Sequence, residues 1–191
     1  MTLFIGLLLI VLTVSYFTHG RGDRQHRILK LAHGLNNQHT VHKAMEFMAK
    51  RVFELSDGNL EVQIFPSEQL GNEKDCIEAL QLGYLAMTKT STGPMEAFVP
   101  EIRIFGILYL FRDSEHFWKV TRSAIGRELL VSGEAKGLRG LCYYDAGALS
   151  FYSKDAPINS PSDLSGKKVR VMNSVMSMEM IKTMGGSPTP I

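Results

Sequence analysis

The chain has 191 residues, 45% of them hydrophobic and 21% charged, with a formal net charge of +2. These are the proportions of an ordinary globular protein, and they exclude fibrous or wholly disordered classes. A near-neutral balance gives no clustered basic face, so nucleic acid is excluded as an expected partner. The length allows one good-sized domain, or one domain and part of another.

Leu3 to Leu12 is an unbroken apolar run, followed by Thr13 to Thr18 and a basic stretch from Arg21 to Arg27. It is shorter than the roughly 20 apolar residues of a membrane span and suits the core of a signal peptide. Residues 1–20 are therefore expected to be a signal peptide or an N-terminal anchor, with export as the leading reading. Only Met1 and Thr2 precede the run and no small-residue cleavage site follows, so a retained anchor or a misplaced start stays open. Arg21-Gly22-Asp23 spells an adhesion tripeptide, read here as chance in a linker. Cys76 and Cys142 lie far apart without metal-ligand spacing and are expected as buried free thiols rather than a bridge.

Ile28 to His33 alternates apolar and polar residues and predicts a strand. After a loop, Thr40 is placed to cap a helix reaching about Ser56, with Val41, Ala44, Met45, Met48, Ala49 and Val52 as its apolar stripe. Asp57-Gly58-Asn59 predicts a turn, and Leu60 to Phe65 a second strand ended by Pro66. A helix from Glu73 to Leu82 and a short strand from Tyr84 to Thr88 follow. Strand, helix, strand, helix, strand is the order of an α/β sheet, whose ligands bind in loops beyond the carboxyl ends of the strands. His33 and the run Thr90-Ser91-Thr92-Gly93 occupy two of those ends, which makes His33, Thr90 and Ser91 candidate ligand contacts.

Helical segments are predicted from Asp113 to about Ala135, then strands over Leu138 to Tyr144 and Leu149 to Ser153 around a flexible break at Asp145 to Ala148. A turn-rich stretch leads into a strand, Val169-Arg170-Val171; Asn173-Ser174 then caps a helix from Val175 to Met184, closed by Gly185-Gly186. Residues 28–145 read as a first lobe and 146–191 as the start of a second. The second piece has too little apolar surface for its own core, so it is expected to pack loosely on the first or to project from it.

Catalytic signatures are missing from the sequence. His39 and His42 are three residues apart, but no third ligand keeps local spacing. Ser91 has no nucleophile elbow around it, and there is neither a dinucleotide fingerprint nor a phosphate loop. No enzyme, metal or cofactor is expected.

Arg170 stands out because its guanidinium is always charged and presents five donors. It could pair with a nearby carboxylate at a sheet edge, or serve as a planar fork aimed at an anion. Asn173 would add an amide beside it, and the following helix its backbone N–H groups and dipole.

Asp163-Leu164-Ser165-Gly166-Lys167-Lys168-Val169-Arg170-Val171, followed by Gly185-Gly186-Ser187-Pro188-Thr189-Pro190, resembles the D-L-x-G-x-K-[IV]-R-V … G-[AG]-x-P-T-P signature of the DctP-like solute-binding proteins of tripartite ATP-independent periplasmic (TRAP) transporters. His39 to Ala44 resembles the opening of that family's first helix, Phe65 to Gly71 its F-P-x-x-Q-L-G turn, and Tyr144 to Gly147 its crossover between lobes. The resemblance runs from residue 28 to 191.

It implies a periplasmic-binding-protein-like two-lobe α/β fold that closes on a small organic acid and delivers it to a membrane permease driven by an ion gradient. Arg170 matches the family's substrate-clamping arginine. Where many members have G-[AS]-R-S-F-Y, this chain has Gly147-Ala148-Leu149-Ser150-Phe151-Tyr152. Leu149 and Ser150 therefore join the candidate contacts, and the missing second arginine counts against a simple dicarboxylate or sugar acid and favours a monocarboxylate or a more apolar acid. The family continues well past P-T-P, so the second lobe is expected to be incomplete. A periplasmic monomer that partners the TRAP permease subunits is the leading expectation. The alternative is a membrane-tethered ligand-sensing ectodomain of the same fold, and a small hydrolase using Ser91 is a distant third.

Overall fold

A computed structural model describes residues 26–191. The expected signal or anchor segment lies outside the described residues. Three parallel strands form the first sheet: β1 (Arg27–Ala32) in the centre, β2 (Leu60–Phe65) and β3 (Met87–Thr88) on its flanks. β1 runs in register with β2 from Arg27↔Leu60 to Ala32↔Phe65, and with β3 at Leu31↔Met87 and Ala32↔Thr88.

Alternation along β1 decides which helix covers which face, because successive side chains point to opposite sides of a sheet. Leu31 is buried with Val62 against Met45 of α1 (Thr40–Leu55), and Val41, Met48, Ala49 and Val52 extend that contact. The next residue, Ala32, faces the other way and packs with Leu85 and with Cys76 of α2 (Glu73–Gln81). The sheet is thus covered on both faces, as all-parallel sheets require. On the far side of α2, Ile77 packs with Val99 and Leu138.

The chain continues through a short helix, α3 (Thr92–Met95), and a 3₁₀ segment (Pro100–Gly106) to α4 (Ser114–Thr121) and α5 (Ala124–Val131). A second, two-stranded parallel sheet joins β4 (Lys168–Val171) to β5 (Ser187–Pro190) through α6 (Val175–Thr183). Leu164 and Ile181 are its buried apolar residues, and Gly186 closes against both: a Cβ there would meet Ile181 Cγ2 at 2.9 Å and the Leu164 carbonyl at 3.2 Å.

The structure corrects two expectations and refines two others. The N-cap of α1 is His39, whose Nδ1 accepts the Val41 N–H at 3.1 Å, rather than Thr40. The helical segments expected over 113–135 are two helices, since Ser123 starts the second by accepting the Ile125 N–H. Residues 138–144 and 149–153 form no ladder, which leaves Cys142 exposed rather than buried. Alternation states which face a side chain takes, but a strand also needs an edge to pair with. Of the two arrangements expected for the second piece, it packs on the first rather than projecting: α6 rests on α3 and the 3₁₀ segment, at a contact built around Glu96.

Candidate ligand site at the strand ends

The carboxyl end of the first sheet is tied together by its own backbone. His33 N–H donates to the Phe65 carbonyl (3.0 Å), and the His33 carbonyl accepts the Glu68 N–H (3.2 Å), which locks the β1 exit to the turn after β2. Ala32 O receives both the Lys89 N–H (3.1 Å) and the Thr88 hydroxyl (2.9 Å), bringing the β3 exit alongside.

Glu73, the first residue of α2, then organises the next loop. Its Oε1 accepts the Ser91 N–H (3.0 Å), the Ser91 hydroxyl (3.0 Å) and the Lys89 ammonium (3.3 Å). Charge-assisted bonds of this kind are about twice as strong as neutral ones, so three on one oxygen hold the loop firmly. Ser91 is half-buried with its hydroxyl proton committed to Glu73, while the Thr90 hydroxyl donates to the Ser91 carbonyl (3.2 Å).

His33 sits behind this rim, buried, with both ring nitrogens engaged. Its Nδ1 accepts the Leu35 N–H (3.1 Å), so the ring proton is on Nε2 and is donated to His42 Nδ1 (2.9 Å). His42 must then carry its proton on Nε2, which faces Glu46 Oε1 at 3.3 Å. The chain of bonds assigns both tautomers and leaves His33 no free nitrogen.

Burial, then the nearby charges of His42, Lys89 and His39, lowers the His33 pKa below its ordinary 6.5. Folding therefore excludes a proton that the unfolded chain takes up below about pH 6.5. The stability this neutral ring contributes should be complete above that pH and decline as the pH falls below it. The slope for one proton approaches about 1.4 kcal/mol per pH unit. Urea midpoints measured from pH 8 to pH 5 should fall accordingly, and His33→Gln should flatten the decline. A parent chain with constant midpoints would contradict the assignment.

Arg170 lies on β4, paired in register with Thr189 of β5. Val169 and Val171 turn inward, whereas Lys168 and Arg170 are exposed on the other face. Among the described residues, Arg170 makes no ion pair and no side-chain hydrogen bond, so its fork is open to an incoming anion. Asn173 is exposed too, because the helix cap is Ser174, whose hydroxyl accepts the Ser177 N–H (3.0 Å).

The β4–α6 junction meets the first-lobe rim at Gly93: a Cβ at that position would fall 3.1 Å from Ser174 Cβ and 3.4 Å from Met172 Cε. Asn173 thus stands next to the loop carrying Thr90 and Ser91. Leu149 and Ser150 are not brought into this group; Leu149 is 87% exposed in the extended 141–153 stretch.

Comparison with known proteins decides the family. The profile of the DctP family, described as bacterial extracellular solute-binding protein family 7, matches residues 31–191. The chain belongs to that family. A relative is the Salmonella typhimurium protein YiiZ, 38% identical over 185 residues, covering 96% of this chain and 55% of that protein.

A TRAP periplasmic solute-binding protein from Sulfitobacter, solved with bound β-D-galacturonate, superposes with a TM-score of 0.83 at 34% identity, covering 86% of this chain and 55% of that one. One from Polaromonas, bound to D-erythronate, gives 0.79 at 39%, covering 86% and 54%. This DctP-family chain spans about half the length of the relatives it matches. Its neighbours are transport solute-binding proteins rather than enzymes, and none of these comparisons supports a membrane-tethered sensor. Among the described residues, no helix is long and apolar enough to cross a membrane.

Proposed function

We propose that this chain carries the carboxylate-clamping part of a periplasmic solute-binding protein, which captures a small organic acid and hands it to a TRAP membrane permease driven by an ion gradient. The observation that carries the reading is Arg170: an exposed guanidinium on a strand, without a partner among the described residues, two residues ahead of a junction packed beside the Thr90–Gly93 loop. A bidentate arginine–carboxylate pair is the strong, directional way to hold an organic acid. In this reading Asn173 supplies a second polar contact, and Thr90 and Ser91 line the opposite wall. Leu149 and Ser150 join from the crossover when the lobes close. His33 acts from behind, by fixing the β1 exit. The working form is an exported monomer.

Leu149 alone disfavours a sugar acid, but the acids bound by the Sulfitobacter and Polaromonas proteins are sugar acids with one carboxylate each, so monocarboxylates of that kind lead the candidates. A thermal-shift panel of D-galacturonate, D-erythronate, succinate and D-galactose tests this. One or more monocarboxylates should raise the unfolding midpoint, and the neutral sugar should leave it unchanged. Leu149→Arg should move the preference toward succinate. A midpoint raised by D-galactose alone would overturn the proposal.

A further inference from the structure

We propose that Glu96 is a positioning residue that seats the β4–α6 junction, and with it Arg170 and Asn173, on the first lobe. Its functional consequence rests on the binding role above; its structural content does not.

Glu96 is 2% exposed, and among the described residues it forms no ion pair. Burying a carboxylate away from any cation is expensive unless several hydrogen bonds compensate it. Here the compensation comes from far along the chain: Oε1 accepts the Ser174 hydroxyl (2.9 Å) and Oε2 the Met176 N–H (3.3 Å). Met176 N is one of the donors that a helix start leaves without an intrahelical partner, and the partial positive charge there favours an anion. With Ser174 taking the Ser177 N–H, the first turn of α6 is capped partly by its own serine and partly by a carboxylate from the first lobe.

Close approach makes this possible. A Cβ on Gly106 would lie 2.7 Å from Met176 Cβ and 3.3 Å from Glu96 Oε1, and Gly93 is similarly tight against Ser174. Two glycines therefore clear the surface on which α6 sits. Two of the α6 amides, those of Met176 and Ser177, already have acceptors inside the protein, so recognition of an external carboxylate would rest chiefly on Arg170.

Amide exchange in the intact chain tests the positioning role. Glu96→Ala should speed exchange at Met176 by about 10- to 100-fold, the worth of one hydrogen bond to a charged group, while β1 and β2 keep their protection. Acetate, but not acetamide, should restore part of the Met176 protection by refilling the vacated anion position. Glu96→Gln, which keeps one acceptor for Ser174, should fall between; if Glu96→Ala does not fold, the glutamine variant carries the test. Unchanged exchange at Met176, or exchange accelerated equally in β1 and β2, would overturn the proposal.

D-galacturonate or D-erythronate titration adds the functional arm, where Glu96→Gln should weaken whatever binding the parent shows. If the parent binds no acid, the transport reading fails, and the exchange result still stands or falls by itself.

Discussion

Arg170→Ala is expected to weaken binding of an organic acid by about 30-fold to several-thousand-fold. The range follows from the roughly 2–5 kcal/mol lost when one partner of a buried, hydrogen-bonded charge pair is truncated. Two features of the chain put the effect toward the upper end. The guanidinium has no partner among the described residues to replace the ligand, and two of the α6 amides, those of Met176 and Ser177, are held by Glu96 and Ser174. Arg170→Lys should recover only part of the loss, since an ammonium is a point charge and cannot offer the parallel fork. Folding should be untouched, because an exposed strand residue without partners contributes little to stability. Equal affinity in the alanine variant and the parent would remove Arg170 from the site.

Gly126→Ala should instead damage the fold. Gly126 lies in the first turn of α5, pressed against the end of α4. A Cβ there would fall 1.9 Å from the Thr121 carbonyl oxygen, 2.4 Å from its carbon and 2.6 Å from Cα. All three are backbone atoms, so no side chain can rotate away, and the two helices must separate. The Tyr143 hydroxyl, which donates to the Gly126 carbonyl at 2.7 Å, would be drawn along.

Alanine gains up to about 1 kcal/mol over glycine in helix propensity. Overpacking costs typically 1–3 kcal/mol and occasionally more, and a clash with rigid backbone belongs at the top of that range. The steric term wins, with a net loss of about 2 kcal/mol or more, or a fall in melting temperature of roughly 4–8 °C. Circular dichroism melting would show it. An unchanged midpoint would mean that α4 and α5 stand farther apart than described.

The elements legible in the sequence were those whose local signals agreed with their tertiary surroundings. β1, α1, β2 and α2 each had clear periodicity and a turn or cap at the boundary, and each formed within a residue or two of its expected limits. The 138–144 and 149–153 runs had the strand pattern too, yet formed no ladder, because pairing is decided by an edge elsewhere in space.

Arg170 was legible as a misfit: a permanent charge between two valines, in a motif that resembled a known one. Glu96 was missed, although Met95-Glu96-Ala97-Phe98-Val99 carried the same kind of signal, a lone acid inside an apolar run. Its partners lie some 80 residues away, and no local spacing reports such a distance. The His33–His42 pair was hidden for a similar reason, since the two rings come from different elements and meet only after α1 packs on β1.

Calorimetric titration of the chain with D-galacturonate and, separately, with D-galactose bears most directly on the claim that an arginine–carboxylate clamp selects the ligand. The two sugars differ in having a carboxylate or a hydroxymethyl group at one carbon, so the comparison isolates the group that Arg170 is held to recognise. Binding of the acid, lost in Arg170→Ala, with no heat from the neutral sugar, is the predicted result. Comparable binding of both sugars, unaffected by the substitution, would contradict the account.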